Sequence, residues 1–268
     1  MASMIDGDDD WALYATHRAR FTDALVETGQ GRLGRLCILG AGPCNDIDLA
    51  RLASTFSEIH LVDIAPSGLA RAVARQPTEI RSRLFRHAPV DLSGLSARRL
   101  AKWKRFAPTP SEVATAAQAS LQAIVARLPG PFDVVASACI LTQMSFDLRA
   151  ALGDGHPMLG PLRVSLMETH VNLLFGLMAA GGAALFVCDA TSSNHYPPLS
   201  QLPPGCDLQG VLSDIVKVGA CYFTANPDIL RSFLRRAGEP ELLDPWLWTG
   251  AFGRTYFVYA FRLRSRDF

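Results

Sequence analysis

The sequence predicts an α/β fold: a doubly wound, mostly parallel seven-stranded sheet with helices on both faces and an antiparallel C-terminal hairpin. Three observations carry that expectation. Short apolar runs alternate with amphipathic stretches along most of the 268 residues, a glycine turn follows the first run, and two apolar runs separated by Gly253 close the chain. Parallel strands buried on both faces read as continuous apolar segments, and each needs a right-handed crossover, usually a helix, to return the chain to the sheet.

Residues 11–28 place Trp11, Tyr14, Ala15, Arg18, Phe21 and Leu25 at steps of three and four, which predicts a helix ahead of the first strand, packed as a lid or flank. RLCILG (35–40) is the first strand, with DIDLARLAST (46–55) as its helix. EIHLVDI (58–64) is the second, followed by PSGLARAVARQ (66–76). RLFRHAPVDL (83–92) reads as the third, followed by a long segment ending in the helical pattern SEVATAAQASLQAIVARL (111–128). FDVVASA (132–138) is the fourth strand, PLRVSLMETHVNLLFGLMAA (161–180) a helix, and GAALFVCDA (182–190) the fifth strand. The stretch TSSNHYPPLSQLPPGCDLQG (191–210) is rich in Pro, Ser and Gly and predicts a long loop beside that strand. A helix around 227–237 precedes PWLWTGAF (245–252) and RTYFVYAFRLR (254–264), close enough to pair as a hairpin. With no internal repeat and no linker, residues 1–268 read as one domain: a helical flank over 1–31, a cofactor-binding core over 32–190, and an acceptor-side loop, helix and hairpin over 191–268.

Composition narrows the function. A net charge of +1 gives no global footprint for nucleic acid or an anionic membrane. The six cysteines lie scattered in apolar stretches without a CxxC pair, so they read as reduced core residues of a cytoplasmic protein rather than a metal site or disulfide frame. The acidic start, MASMIDGDDDW, is unlike a basic targeting segment. Between Arg71 and Arg105 ten Lys or Arg stand against two acids, with Trp103 inside the run. That run either tracks a phosphate backbone or forms a solvated face.

A glycine turn at a strand end lets the backbone approach a ligand, and the N–H groups of the next helix face it. A dinucleotide site would call for a third glycine at position 45, where the sequence has Asn45, and Asp46 puts negative charge where a pyrophosphate would sit. A cofactor whose near end is a cationic amino-acid moiety tolerates that acid, and S-adenosylmethionine is such a molecule.

On these residues the chain resembles the class I S-adenosylmethionine-dependent methyltransferases over roughly Arg35 to Asp189, with the closing hairpin in addition. The resemblance implies that Leu39, Gly40, Ala41 and Gly42 hold the methionine part, with Asp46 compensating for the acid that the family often has before the loop. Asp63, with Ile64 beside it, would bind the ribose hydroxyls, and Asp91 with Leu92 would approach the adenine. Ser137, Ala138 and Cys139 at the fourth strand end would lie over the methionine and the acceptor. Each acid also has a plain reading as a turn residue.

On the acceptor side, Asp189 and His195 are the candidate catalytic residues, His195 with Tyr196 because a loop near the strand ends is placed for proton removal. His17 and Tyr14 either close over the cofactor or simply pack, and His170 reads as a core histidine. No metal is expected. The function expected is methyl transfer to a small or medium acceptor. The alternatives are an RNA methyltransferase using the basic 71–105 region, a nicotinamide-dependent oxidoreductase, and a non-catalytic cofactor-binding module.

Overall fold

The computed structural model describes residues 9–29, 34–250 and 253–264. The acidic start of the sequence, the flank boundary expected at 31–32 and the last two residues of PWLWTGAF lie outside them. Helices α1 (Asp9–Leu13) and α2 (Ala15–Thr28) lead into β1 (Arg35–Leu39), and α3 (Leu49–Thr55) returns the chain to β2 (Glu58–Val62). Then follow α4 (Pro66–Ala74), α5 (Thr78–Arg81), β3 (Leu84–His87), α6 (Ala97–Arg105), α7 (Pro110–Arg127) and β4 (Phe132–Ala138). The rest comprises α8 (Ile140–Leu152), α9 (Leu159–Leu177), β5 (Met178–Ser192), α10 (Leu208–Lys217), α11 (Pro227–Leu234), β6 (Glu241–Leu242), β7 (Trp246–Thr249) and β8 (Thr255–Arg264).

The strands lie in the order β3-β2-β1-β4-β5-β8-β6, parallel from β3 to β5, with β8 antiparallel to β5. Among the described residues the sheet has eight strands, the penultimate of the expected seven being interrupted into two. β6 and β7 both pair with β8, at Glu241↔Arg262 and Trp246↔Val258, and Pro245, which has no N–H to donate, stands in the break between them.

Alternation within each strand builds a core on either face. In β1, Cys37 and Leu39 join the layer under α7, α8 and α9, and Leu36 and Ile38 join the layer under α2, α3 and α4. Every one of them is fully buried, worth about 1.5 to 3 kcal/mol per large aliphatic side chain. Register then fixes where function falls. Leu39 lies opposite Val62 and Ser137, so β1, β2 and β4 end at one edge and deliver Gly40, Asp63 and Cys139 to it together.

Several elements differ from the sequence expectation. β3 stops at His87, so Asp91 lies beyond a strand end rather than on one. Asp48, not Asp46, caps α3, accepting the Arg51 N–H at 3.0 Å, which leaves Asp46 in the loop. The loop after β5 is shorter than expected because a 3-10 turn at Pro197–Gln201 and α10, capped by Asp207, occupy much of it. Among the described residues no helix is long and apolar enough to cross a membrane.

Candidate active site

β1 is flanked by β2 on one side and β4 on the other, so the strand order reverses there, and ligands of open α/β sheets bind outside the carboxyl ends of strands at such a point. A cleft of about 760 Å³ opens there. The Gly40 and Ala41 N–H groups both reach the Val62 carbonyl, at 2.9 and 3.1 Å, which swings the loop over the end of β2. Gly40 (φ +78°) and Gly42 (φ +51°) both need the left-handed region, for different reasons. A Cβ at Gly40 would stand 2.5 Å from the Ile140 Cβ, whereas one at Gly42 would meet nothing within 4 Å and project into open space. Gly42 is thus a cradle that a side chain would fill.

Asp63 fastens this loop. Its two carboxylate oxygens accept the Gly42 and Ala65 N–H groups, each at 2.8 Å, and the side chain still lines the cleft beside the exposed Ile64. From behind, the Arg18 guanidinium donates to the Asn45 carbonyl at 2.9 Å, and Arg75 donates to the Pro43 carbonyl and to Asn45 Oδ1. Asn45 is therefore a backing residue, used where a dinucleotide loop would need glycine.

Asp46 also lines the cleft. Burial pushes its carboxyl up to about 7, with Asp63 raising it further and Arg18 holding it back. Asp91 accepts both the N–H (3.0 Å) and the hydroxyl (2.6 Å) of Ser93, so it makes the turn and faces the cleft with Leu92. Ala138 and Cys139 line the floor, and Cys139 (φ 47°) takes the left-handed turn between β4 and α8.

Three of the residues expected at the cofactor do not line the cleft. Leu39 and Ala41 point into the sheet cores. Ser137 is wholly buried, its hydroxyl 2.9 Å from His170 Nε2, because alternation along β4 turns it toward α9. His170 Nδ1 has no partner, and burial pushes the imidazole down to about 4.

On the acceptor side Asp189 lines the cleft and His195 does not. A bulge in the β5–β8 pairing between Asp189 and Thr191 re-aims the strand there. Burial pushes Asp189 up to about 7, partly offset by Thr142, yet neither Asp189 Oδ1 nor Thr142 Oγ1 has a hydrogen-bond partner. His195 is exposed, and its ring packs 5.5 Å from that of Tyr222, which itself lines the cleft and donates to Ser192 Oγ at 2.6 Å.

The sequence reading weighed Tyr14 and His17 at the cleft but not the hairpin residues that complete its aromatic wall. Tyr256 stacks on Trp248 at 4.7 Å, Trp248 on His17 at 4.9 Å, and Tyr14 tilts against Trp248 at 4.6 Å. All four line the cleft. Trp246 Nε1 donates to His17 Nδ1 at 2.9 Å, tying α2 to the closing hairpin, and burial pushes His17 down to about 4. The signal available was the helical face carrying Tyr14 and His17, together with the alternation of Trp246 and Trp248 in the hairpin. Among the described residues no group of three or more His, Cys, Asp or Glu is placed to hold a metal ion.

No protein-family model matches the chain, and no curated protein matches it in sequence. Its similarity is to solved structures. One, described as "Conversion of a Disulfide Bond into a Thioacetal Group during Echinomycin Biosynthesis", is 13% identical over 91% of this chain and 80% of its own, with a TM-score of 0.50. The N-methyltransferase NodS from Bradyrhizobium japonicum WM9 is 14% identical over 97% and 99% of the two chains, with a TM-score of 0.46. Magnesium protoporphyrin IX methyltransferase from Synechocystis PCC 6803, with bound SAH, is 11% identical over 98% and 90%, with a TM-score of 0.47. At these identities the likeness is one of fold alone: a mostly parallel α/β sheet in which β8 runs antiparallel to β5.

Proposed function

We propose that the protein is an S-adenosylmethionine-dependent methyltransferase acting on a small-molecule acceptor. The observation that carries this reading is the Gly42 cradle, open to a cleft at the β1/β4 switch point and pinned by Asp63. The residues present fit the cofactor. Gly40 and Gly42 give backbone approach, Asp46 and Asp63 provide negative charge beside a cationic amino-acid end and a ribose, and Ile64, Asp91 and Leu92 border the adenine end. Three buried polar atoms on the cleft wall, Thr142 Oγ1, Asp189 Oδ1 and Trp248 Nε1, lack partners. Buried polar groups are paired in nearly all native proteins, so such a concentration suits a site that a ligand completes.

When bound, the cofactor supplies the electrophilic methyl group. The protein aligns the acceptor, excludes water and manages a proton. Calorimetric titration with S-adenosylhomocysteine tests the site directly, with a nicotinamide dinucleotide as the competing ligand. Binding of the dinucleotide alone would overturn the reading, and tight S-adenosylhomocysteine binding without methyl transfer to any acceptor would favour a cofactor-binding module.

The RNA alternative draws little support from the basic run. Trp103 is buried, which removes it as a stacking platform, and Arg75, Arg81, Arg83 and Arg99 hold backbone carbonyls of their own fold.

A further inference from the structure

We propose that the acceptor is an amine that enters the cleft as a cation, and that Asp189 binds it and removes its proton. The inference rests on the methyltransferase reading and deepens it. Charge in the cleft is one-sided: Asp46, Asp63, Asp91, Asp147 and Asp189 line it against one arginine, Arg254. Arg254 is exposed at the rim and shares its guanidinium with the Tyr256 hydroxyl at 3.3 Å. Asp63 and Asp91 already serve backbone and turn, and Asp46 adjoins the glycine loop. Asp189 is different. Its Oδ1 is buried and unpartnered on the acceptor side, next to Cys139, with the strand bulged at that point. An anionic acceptor would meet an uncompensated buried carboxylate, whereas a cation meets its counter-charge. Tyr14, Trp248 and Tyr256 add aromatic surface to the same cleft.

Among the described residues Asp46 is the other cleft carboxyl pushed up to about 7, and it adjoins the glycine loop rather than the acceptor side. His17 Nδ1 is occupied by the Trp246 N–H, and His195 stands outside the lining. The titratable groups around Asp189 are the thiols of Cys139 and Cys188 and the phenols of Tyr222 and Tyr259, all pushed up and neutral near pH 7. The ammonium proton passes to an Asp189 oxygen, freeing the nitrogen lone pair. That pair forms the N–C bond as the methyl's bond to the sulfonium breaks and its electrons go to sulfur. The product is the methylated ammonium ion, and Asp189 returns its proton to water.

The experiment offers the protein a methyl-labelled cofactor and a panel of primary and secondary arylalkylamines, with phenols and carboxylic acids matched in size. In parallel, calorimetry follows S-adenosylhomocysteine, and then each amine in its presence, for wild type and Asp189→Asn. The expected result is label on amines only. In Asp189→Asn, S-adenosylhomocysteine binding should stay within about threefold, amine affinity fall at least about tenfold, and kcat/KM fall about a hundredfold or more. The wild-type acid limb near pH 7, where activity rises as Asp189 ionises, should vanish. Label on phenols or carboxylates, cofactor binding with no labelled amine, or a fully active Asp189→Asn protein overturns the proposal. Failure of S-adenosylhomocysteine to bind wild type overturns the underlying function instead.

Discussion

One oxygen of the Asp63 carboxylate accepts the Gly42 N–H at 2.8 Å while the other holds Ala65, so the acid assigned to the ribose also fixes the glycine turn and the start of α4. Each oxygen keeps a further lone pair for a ligand hydroxyl. Asp63→Ala is therefore expected to weaken S-adenosylhomocysteine binding by about 1.5 to 3 kcal/mol and to lower stability by about 1 to 3 kcal/mol, since two N–H groups lose their acceptor. Calorimetry and urea unfolding read the two effects separately. Lost affinity at unchanged stability would show that the ligand alone depends on Asp63.

The two glycines of the loop should respond in opposite ways. Gly42→Val has room for its side chain and should stay folded, at a cost of about 1 to 2 kcal/mol for the left-handed backbone, but bind no S-adenosylhomocysteine. Gly40→Ala sets its Cβ against Ile140 and should fail to fold stably. Circular dichroism and ligand titration on both variants decide this, and a folded Gly42→Val protein with normal affinity would remove the loop from the site.

His195 lies outside the cleft lining and packs against Tyr222, which lines it. His195→Ala should change turnover less than about threefold, well short of the roughly hundredfold scale of a lost general base. Steady-state rates on an identified acceptor test this, and a hundredfold loss would return the base to His195.

Four groups, two buried histidines and two half-buried acids, set an unusual acid response. His17 and His170 lie near 4, below the ordinary 6.5, so from about pH 4 to 6.5 the unfolded chain binds protons that the native state does not, and stability rises with pH. Asp46 and Asp189 lie near 7, above the ordinary 3.8, so over 3.8 to 7 the native state holds the extra protons and stability falls with pH. The pairs oppose each other around pH 5. Replacing both acids, Asp46→Asn with Asp189→Asn, should expose the histidine effect, with stability rising between pH 4 and 6.5 by up to about 2.7 kcal/mol per unit for two protons. Urea midpoints across pH provide the measurement. A flat profile in the double variant would mean that the histidines are not held neutral.

What the sequence made legible was local. The succession of strands and helices, the glycine turn and the place of Asp63 at a strand end followed from short-range patterns: apolar runs, a turn residue at a fixed offset, an acid closing a strand. α8 was missed because ILTQM continues the apolar run of β4, and the turn between them is made by Cys139 where a glycine would have marked it. Ser137 was assigned to the cleft from its place in the chain, but residues one apart on a strand face opposite sides, and only the pleat phase tells which. The aromatic wall joins α2 to the closing hairpin, and no window of sequence holds both.

The Trp246 to His17 hydrogen bond spans 229 positions, whereas the Asp63 to Gly42 bond spans 21. Closing the longer loop costs more entropy, and contacts of that separation form late. On that criterion the α2–β7 contact is expected to form later than the Asp63–Gly42 turn and to open before it. Native-state hydrogen exchange should show β7 amides opening at lower free energy than those of β1, and Trp246→Phe should widen the gap by about 1 kcal/mol. Equal opening energies would mean a single cooperative unit. Under the proposed function, an opening of this kind would bare the aromatic side of the cleft while the glycine loop stays folded.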